Sequence, residues 1–133
     1  MESQNTTIVQ EAYAAFLRGD VTTLLGLMSD DIVWEPVQGT ASHVPFSGKR
    51  QGKPAVAEFF QLVATHDDFT QFEPREFVAQ GDVVVAVGHY RSITKPSGKT
   101  FDADFAMVFT LKDGKLVRFR EFTDSAAVNA AFA

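Results

Sequence analysis

The sequence predicts an α+β protein, with N-terminal helices packed on an antiparallel sheet around an apolar interior. Apolar residues recur at three-to-four spacing in the first half of the chain and alternate with period two from about residue 72 to residue 123. Gly81-Asp82, Pro96-Ser97-Gly98 and Asp113-Gly114 break the second half into strands at hairpin-like intervals. Hydrophobic residues make up 45% of the chain and thirteen are phenylalanines, so a core can form without disulfides, and no cysteine is present to make one.

The first helix is read from Thr7, where Ile8, Ala12, Ala15 and Phe16 form a stripe flanked by Tyr13, and Thr7 with Gln10 has the spacing of a capping box. Gly19 ends it. Asp20 is the expected N-cap of a short second helix that buries Leu24, Leu25, Leu27 and Met28 and runs to about Ser29-Asp30. Ile32-Val33-Trp34-Glu35 is β-branched and aromatic, and Pro36 suits a strand end. Residues 38 to 52, with Gly39, Pro45, Gly48 and Gly52, read as a loop. Pro54 suits the first turn of a third helix that carries Val56, Phe59, Phe60 and Val63 on one face and ends near His66.

Four strands follow, over 72–80, 83–94, 101–112 and 116–123, and Asp124 can cap a closing helical turn. Alternation places Phe101, Ala103, Phe105, Met107, Phe109 and Leu111 on the inner face of their strand, opposite Asp102 and Asp104. In the last strand Val117, Phe119, Glu121 and Thr123 share the inner face, opposite Leu116, Arg118, Arg120 and Phe122.

One domain is expected from a length of 133 residues without a compositional break. A net charge of −5 without a basic cluster argues against nucleic acid as a partner. Without a long apolar run no membrane span is expected, and the cysteine-free composition suits a cytoplasmic protein. His43, His66 and His89 are scattered without metal-ligand spacing, so neither a metal nor a cofactor is expected.

The stretch Pro45-Phe46-Ser47-Gly48-Lys49-Arg50-Gln51-Gly52-Lys53-Pro54 resembles the loop-to-helix signature of SnoaL-like and ketosteroid-isomerase-related proteins of the nuclear transport factor 2-like superfamily. The segment 108–124, with its Asp-Gly-Lys turn, is similar to that family's last two strands. The resemblance implies a cone-shaped fold with a strongly bent sheet, a cavity on its concave side, and dimers packed through the sheet. Its members include isomerases, polyketide cyclases, epoxide hydrolases, dehydratases and non-enzymatic association domains, so it implies a pocket rather than one reaction. Phe119-Arg120-Glu121-Phe122-Thr123-Asp124 also resembles the final strand of limonene-1,2-epoxide hydrolase, with Glu121 at that enzyme's carboxylate, but the enzyme's other water-binding residues have no counterparts here. Where many relatives carry a His on the penultimate strand, this chain has Met107.

Two residues are therefore candidates for catalysis. Glu121, between aromatic neighbours, is either a base with a raised pKa or a salt-bridge partner, and Tyr90 is either a donor to a substrate oxygen or a packed strand tyrosine. Trp34, Phe46, Phe59, Phe105, Met107 and Phe119 are the expected ligand-binding wall, with Phe46 as a lid. The expected function is binding of a small hydrophobic molecule, with cofactor-free acid/base chemistry of isomerase, cyclase or hydratase type, or non-catalytic binding or protein association as the alternative. The outer face, with Val83, Val85, Val87, Ala106, Val108 and Phe122 rimmed by His89 and Arg91, is the expected homodimer interface.

Overall fold

A computed structural model describes residues 2–37 and 43–133; Met1 and the expected turn residue Gly39 lie outside the described residues. Helices α1 (Glu2–Leu17) and α2 (Val21–Gly26) lead into β1 (Met28–Glu35) and a short β2 (Arg50–Gln51). Then α3 (Lys53–His66) runs directly into β3 (Asp67–Gln80), β4 (Val83–Thr94), β5 (Thr100–Lys112) and β6 (Lys115–Thr123), and α4 (Ser125–Phe132) closes the chain. Among the described residues six strands lie in one open sheet in the order β2-β1-β6-β5-β4-β3.

The fold class is α+β as expected, but the sheet is mixed rather than wholly antiparallel. β3 to β6 form the antiparallel meander, whereas β1 runs parallel to β6, with Trp34 opposite Phe119. A parallel neighbour needs a long crossover, and here α3 and the four strands β2 to β5 supply it. β2 falls inside the stretch expected to be loop, where Arg50 and Gln51 pair with Trp34 and Val33.

Several boundaries move for identifiable reasons. α1 begins at Glu2, so Thr7 is inside the helix and its hydroxyl donates to Ser3 O instead of capping. Asp20 does cap α2, accepting from Thr23 N, but α2 ends at Gly26, and Met28 is buried as the first residue of β1. Leu116 is inward rather than outward, because a register shift at Thr110/Leu111 sets Leu111 opposite Leu116 but Thr110 opposite Arg118. That extra residue is a β-bulge, and it lets Leu116 and Phe119 face the same side despite odd spacing. Asp124 caps α4 as expected, accepting from Ala127 N.

The core lies between the inner face of the sheet and the helices. It joins Val9 and Ala12 of α1, Phe59 and Phe60 of α3, and Phe101, Phe105 and Phe109 of β5. Gly88 on β4 is required by close approach: a Cβ there would lie 2.1 Å from Glu73 O and 2.7 Å from the Phe105 ring. Opposite it, β3 shifts register between Pro74 and Glu76, which brings its backbone onto β4 at that point.

Candidate functional site

The inner faces of β1 and β3 to β6 and the helices line a cavity of about 80 Å³. Its wall is almost wholly apolar and aromatic; Trp34, Phe59 and Phe119 stand on one side, Phe69 and Phe72 on another. Trp34 stacks on Phe119, ring centroids 3.9 Å apart and 19° from parallel, and meets Phe59 at 5.6 Å. Phe46 lines the cavity but is 4% exposed, held edge-on between Phe59 and Phe132 at 5.6 Å from each, so it is a packed wall residue. Met107 and Phe119 line it too, but Phe105, expected in the wall, does not. Its ring packs against Tyr90 and Phe72, centroids 5.0 and 5.4 Å away, and supports the wall from outside.

Glu121 faces the cavity from β6, opposite Met107 of β5, and is 6% exposed. The Tyr90 hydroxyl donates to its Oε2 at 2.6 Å, and the Val37 backbone N–H also donates to it. Val37 holds that N–H in place with a φ of 23°, a region that costs a β-branched residue strain. No cation pairs with Glu121 among the described residues: Arg118 bonds Glu35 at 2.9 Å, and Arg120 lies over the Phe122 ring on the outer face. Burial raises its pKa above the usual carboxylate value, against the Tyr90 and Val37 hydrogen bonds that lower it. Tyr90, also buried, is raised well above an ordinary tyrosine by burial and then by the Glu121 charge.

Two ionisable residues of the wall were not singled out from sequence. Tyr13 of α1 donates to Met107 Sδ at 3.0 Å, and its pKa is raised by burial and by Glu121. Asp67, the first residue of β3, is 6% exposed, lines the cavity and accepts from Ser92 Oγ at 2.8 Å. Burial raises its pKa to about 6 from an ordinary 3.8, outweighing the Ser92 hydrogen bond and the smaller attractions of His66 and Lys95. The period-two pattern puts Ser92, the partner of Asp67, on the inner face of β4 with Tyr90 and Thr94, but it carries no signal for Tyr13 or Asp67 themselves.

The SnoaL-like domain family matches residues 9–119 of the chain. The chain belongs to that family. Among solved structures, this SnoaL-like protein is similar to an NTF2-like protein from Burkholderia xenovorans LB400, with 32% identity over 100% of this chain and 98% of the other and a TM-score of 0.90. It is also similar to an NTF2-like protein from Burkholderia pseudomallei K96243, with 26% identity, 98% of each chain covered and a TM-score of 0.88. A third similar structure is TerC co-crystallized with polyporic acid, with 28% identity over 97% of this chain and 98% of that one and a TM-score of 0.82. Among curated proteins, none matches the chain. The NTF2-like structures have the cone fold that the sequence resemblance implied.

The remaining histidines stand away from the cavity wall, and among the described residues no cluster has the ligand set of a metal site. His66 ends α3 with Nδ1 2.8 Å from Leu62 O, and His43 is exposed, its backbone N–H donating to Asn129 Oδ1 at 2.7 Å. On the outer sheet face the His89 ring lies between Asp104, 2.8 Å away, and Asp102, and hydrogen bonding to Asp104 leads the rise in its pKa. Among the described residues no helix is long and apolar enough to cross a membrane.

Proposed function

We propose that this SnoaL-like protein binds a small aromatic or otherwise hydrophobic carbonyl compound in the cavity and that Glu121 transfers a proton on it. The observation that carries this reading is a buried carboxylate, hydrogen-bonded to a buried tyrosine and without a paired cation among the described residues, in a wall that is almost wholly apolar and aromatic. A carboxylate that burial holds above its ordinary pKa is a stronger base when ionised. It removes a proton from the carbon beside the carbonyl, and the C–H electron pair moves onto the carbonyl oxygen as an enolate. Returning the proton to a carbon of the same ligand completes an isomerisation or exchange. When Glu121 takes up the proton it needs the Tyr90 hydroxyl less, and that hydroxyl is free to turn toward the enolate oxygen.

The test is hydrogen–deuterium exchange of the acetophenone methyl group in D₂O, followed by NMR. The protein should accelerate exchange, and Glu121→Gln, which keeps the shape and removes the base, should lower the accelerated rate by roughly 10²- to 10⁴-fold. An equal rate in the variant refutes Glu121 as the base. Saturable binding of acetophenone or polyporic acid without exchange favours the second reading, a non-catalytic binding or association domain. The small volume of the cavity, about 80 Å³ within a ring of the protein's own aromatic side chains, is the observation on that reading's side.

The same reading includes a cytoplasmic homodimer formed through the outer sheet face. Val87 and Phe122 are exposed there beside half-buried Val83, Val85, Ala106 and Val108, with Arg91 and His89 at the margin. Covering this patch removes apolar surface from water at a site whose rim is already charged.

A further inference from the structure

Among the described residues, the buried side-chain polar atoms without a hydrogen-bond partner are Ser29 Oγ, Arg50 Nε, Trp34 Nε1 and Asp67 Oδ2. Trp34 and Asp67 both line the cavity. Their orphan atoms have opposite polarity, since an indole N–H can only donate and a carboxylate oxygen accepts. Buried polar groups are almost always paired, so an unpaired donor and an unpaired acceptor in the wall of one cavity call for a cause.

Local structure fixes the orientation of Asp67. Its Oδ1 is held by the Ser92 hydroxyl at 2.8 Å, which leaves Oδ2 as the free end. Ser92 and Tyr90 are successive inward positions of β4, and each donates its hydroxyl to a different buried acid, Tyr90 to Glu121 and Ser92 to Asp67. The two acids are therefore attached to neighbouring sites on one strand, roughly 7 Å apart at the backbone. The charged and titratable groups that act on Asp67 are His66 at the end of α3, Lys95 in the β4–β5 hairpin, and Glu121 and Tyr90, which also line the cavity. Lys95 Nζ is spent on Ala64 O and His66 Nδ1 lies on Leu62 O; among the described residues no ion pair joins either to Asp67.

We propose that Asp67 and Trp34 are ligand-contacting residues that orient the bound compound, Asp67 Oδ2 accepting a hydrogen bond from its hydroxyl and Trp34 Nε1 donating one to its carbonyl oxygen. The ligand class is a neutral aromatic compound with one hydroxyl and one carbonyl group. A hydroxyl suits this carboxylate better than an ammonium, because the surrounding wall would strip a charged group of water without supplying other polar partners. The inference rests on the pocket reading above and adds the polarity of the ligand to it.

Four monocyclic probes test both contacts by calorimetric titration: 4-hydroxyacetophenone, acetophenone, 4-ethylphenol and ethylbenzene. In the wild type, adding the hydroxyl should strengthen binding roughly tenfold or more, as for hydrogen bonds to charged groups, and adding the carbonyl should give a smaller gain. Asp67→Ala should abolish the hydroxyl gain and keep the carbonyl gain; Trp34→Phe should do the reverse, with circular dichroism confirming that each variant is folded. Asp67→Asn serves where the alanine variant is unstable, and there the hydroxyl gain should fall because the charge is gone. A hydroxyl gain that persists in both Asp67 variants, or one absent from the wild type while ethylbenzene binds, overturns the proposal and leaves the pocket reading intact. Failure of all four probes to bind the wild type overturns both.

Discussion

Replacing Asp67 with Asn should make the protein more stable at neutral pH, against the usual cost of changing a buried polar residue. The Asp67 carboxyl has its pKa raised by burial from 3.8 to about 6, so ionising it is harder in the folded chain than in the unfolded one. Well below pH 3.8 the group is protonated in both states and nothing is lost, and at pH 4 the loss is still small. As the pH rises from about 4 to about 6 the unfolded chain releases its proton freely while the folded one holds it, and stability falls; above about pH 6 the loss is complete. A shift of this size corresponds to about 3 kcal/mol. Asn keeps an oxygen for the Ser92 hydroxyl, and its NH₂ meets the surroundings that a protonated carboxyl meets, so the variant should match the wild type near pH 4 and exceed it by about 3 kcal/mol at pH 7. Urea denaturation of both proteins at the two pH values measures this. Other carboxylates titrate in both proteins and cancel in the difference, including Asp20 and Glu73, whose lowered pKa values give the opposite slope. An Asp67→Asn protein no more stable than the wild type at pH 7, or a difference that does not change between pH 4 and pH 7, would refute the reasoning.

Phe105→Ala should lose roughly 3 to 5 kcal/mol, because the ring is 2% exposed and wedged behind Tyr90 and Phe72, and chemical denaturation reads the loss. Ligand affinity should change little by comparison, since Phe105 does not line the cavity. Gly88→Ala should lower the denaturation midpoint sharply, as the new methyl would meet the Glu73 carbonyl at 2.1 Å; a midpoint within error of wild type would contradict the close approach of β3 and β4. Sedimentation at micromolar concentration should show a dimer that Phe122→Asp converts to monomer, and a wild-type monomer would exclude a stable dimer through this face.

The meander was legible in the sequence because its two signals are local. Alternation from Phe101 to Leu111 needs only the strand itself, and Asp113-Gly114 carries its own hairpin geometry, with φ of 53° and 76°. Those signals also carried Phe119 and Glu121 to the correct face. What was not legible depends on distant partners. The parallel pairing of β1 with β6 leaves no mark in Ile32-Val33-Trp34, which reads the same beside either kind of neighbour. Alternation alone puts Leu116 outward because it assumes an unbroken ladder, and a bulge shifts it by one residue. The first turn of α1 leaves no signal because Glu2 to Thr6 carry no apolar stripe.

Asp67 was overlooked for a related reason, and that reason bears on what it does. His66-Asp67-Asp68 has the look of a polar helix end, where acidic residues ordinarily face water, and only the direct passage of α3 into β3 turns Asp67 inward, with Phe69 also in the cavity wall. Asp68, one residue later, is exposed. A residue that needed only to end a helix could have been placed one position along, in water, without the cost of a buried carboxylate. The fold instead carries that cost and holds the group with Ser92, one inward position beyond the tyrosine that holds Glu121. Titratable groups with strongly perturbed pKa values cluster at functional sites, and the proposed ligand contact gives this one a partner. The stability gain expected of Asp67→Asn and the hydroxyl preference expected of the wild type are thus two measurements of one arrangement: the variant should become the more stable protein and the poorer binder of the hydroxylated ligand.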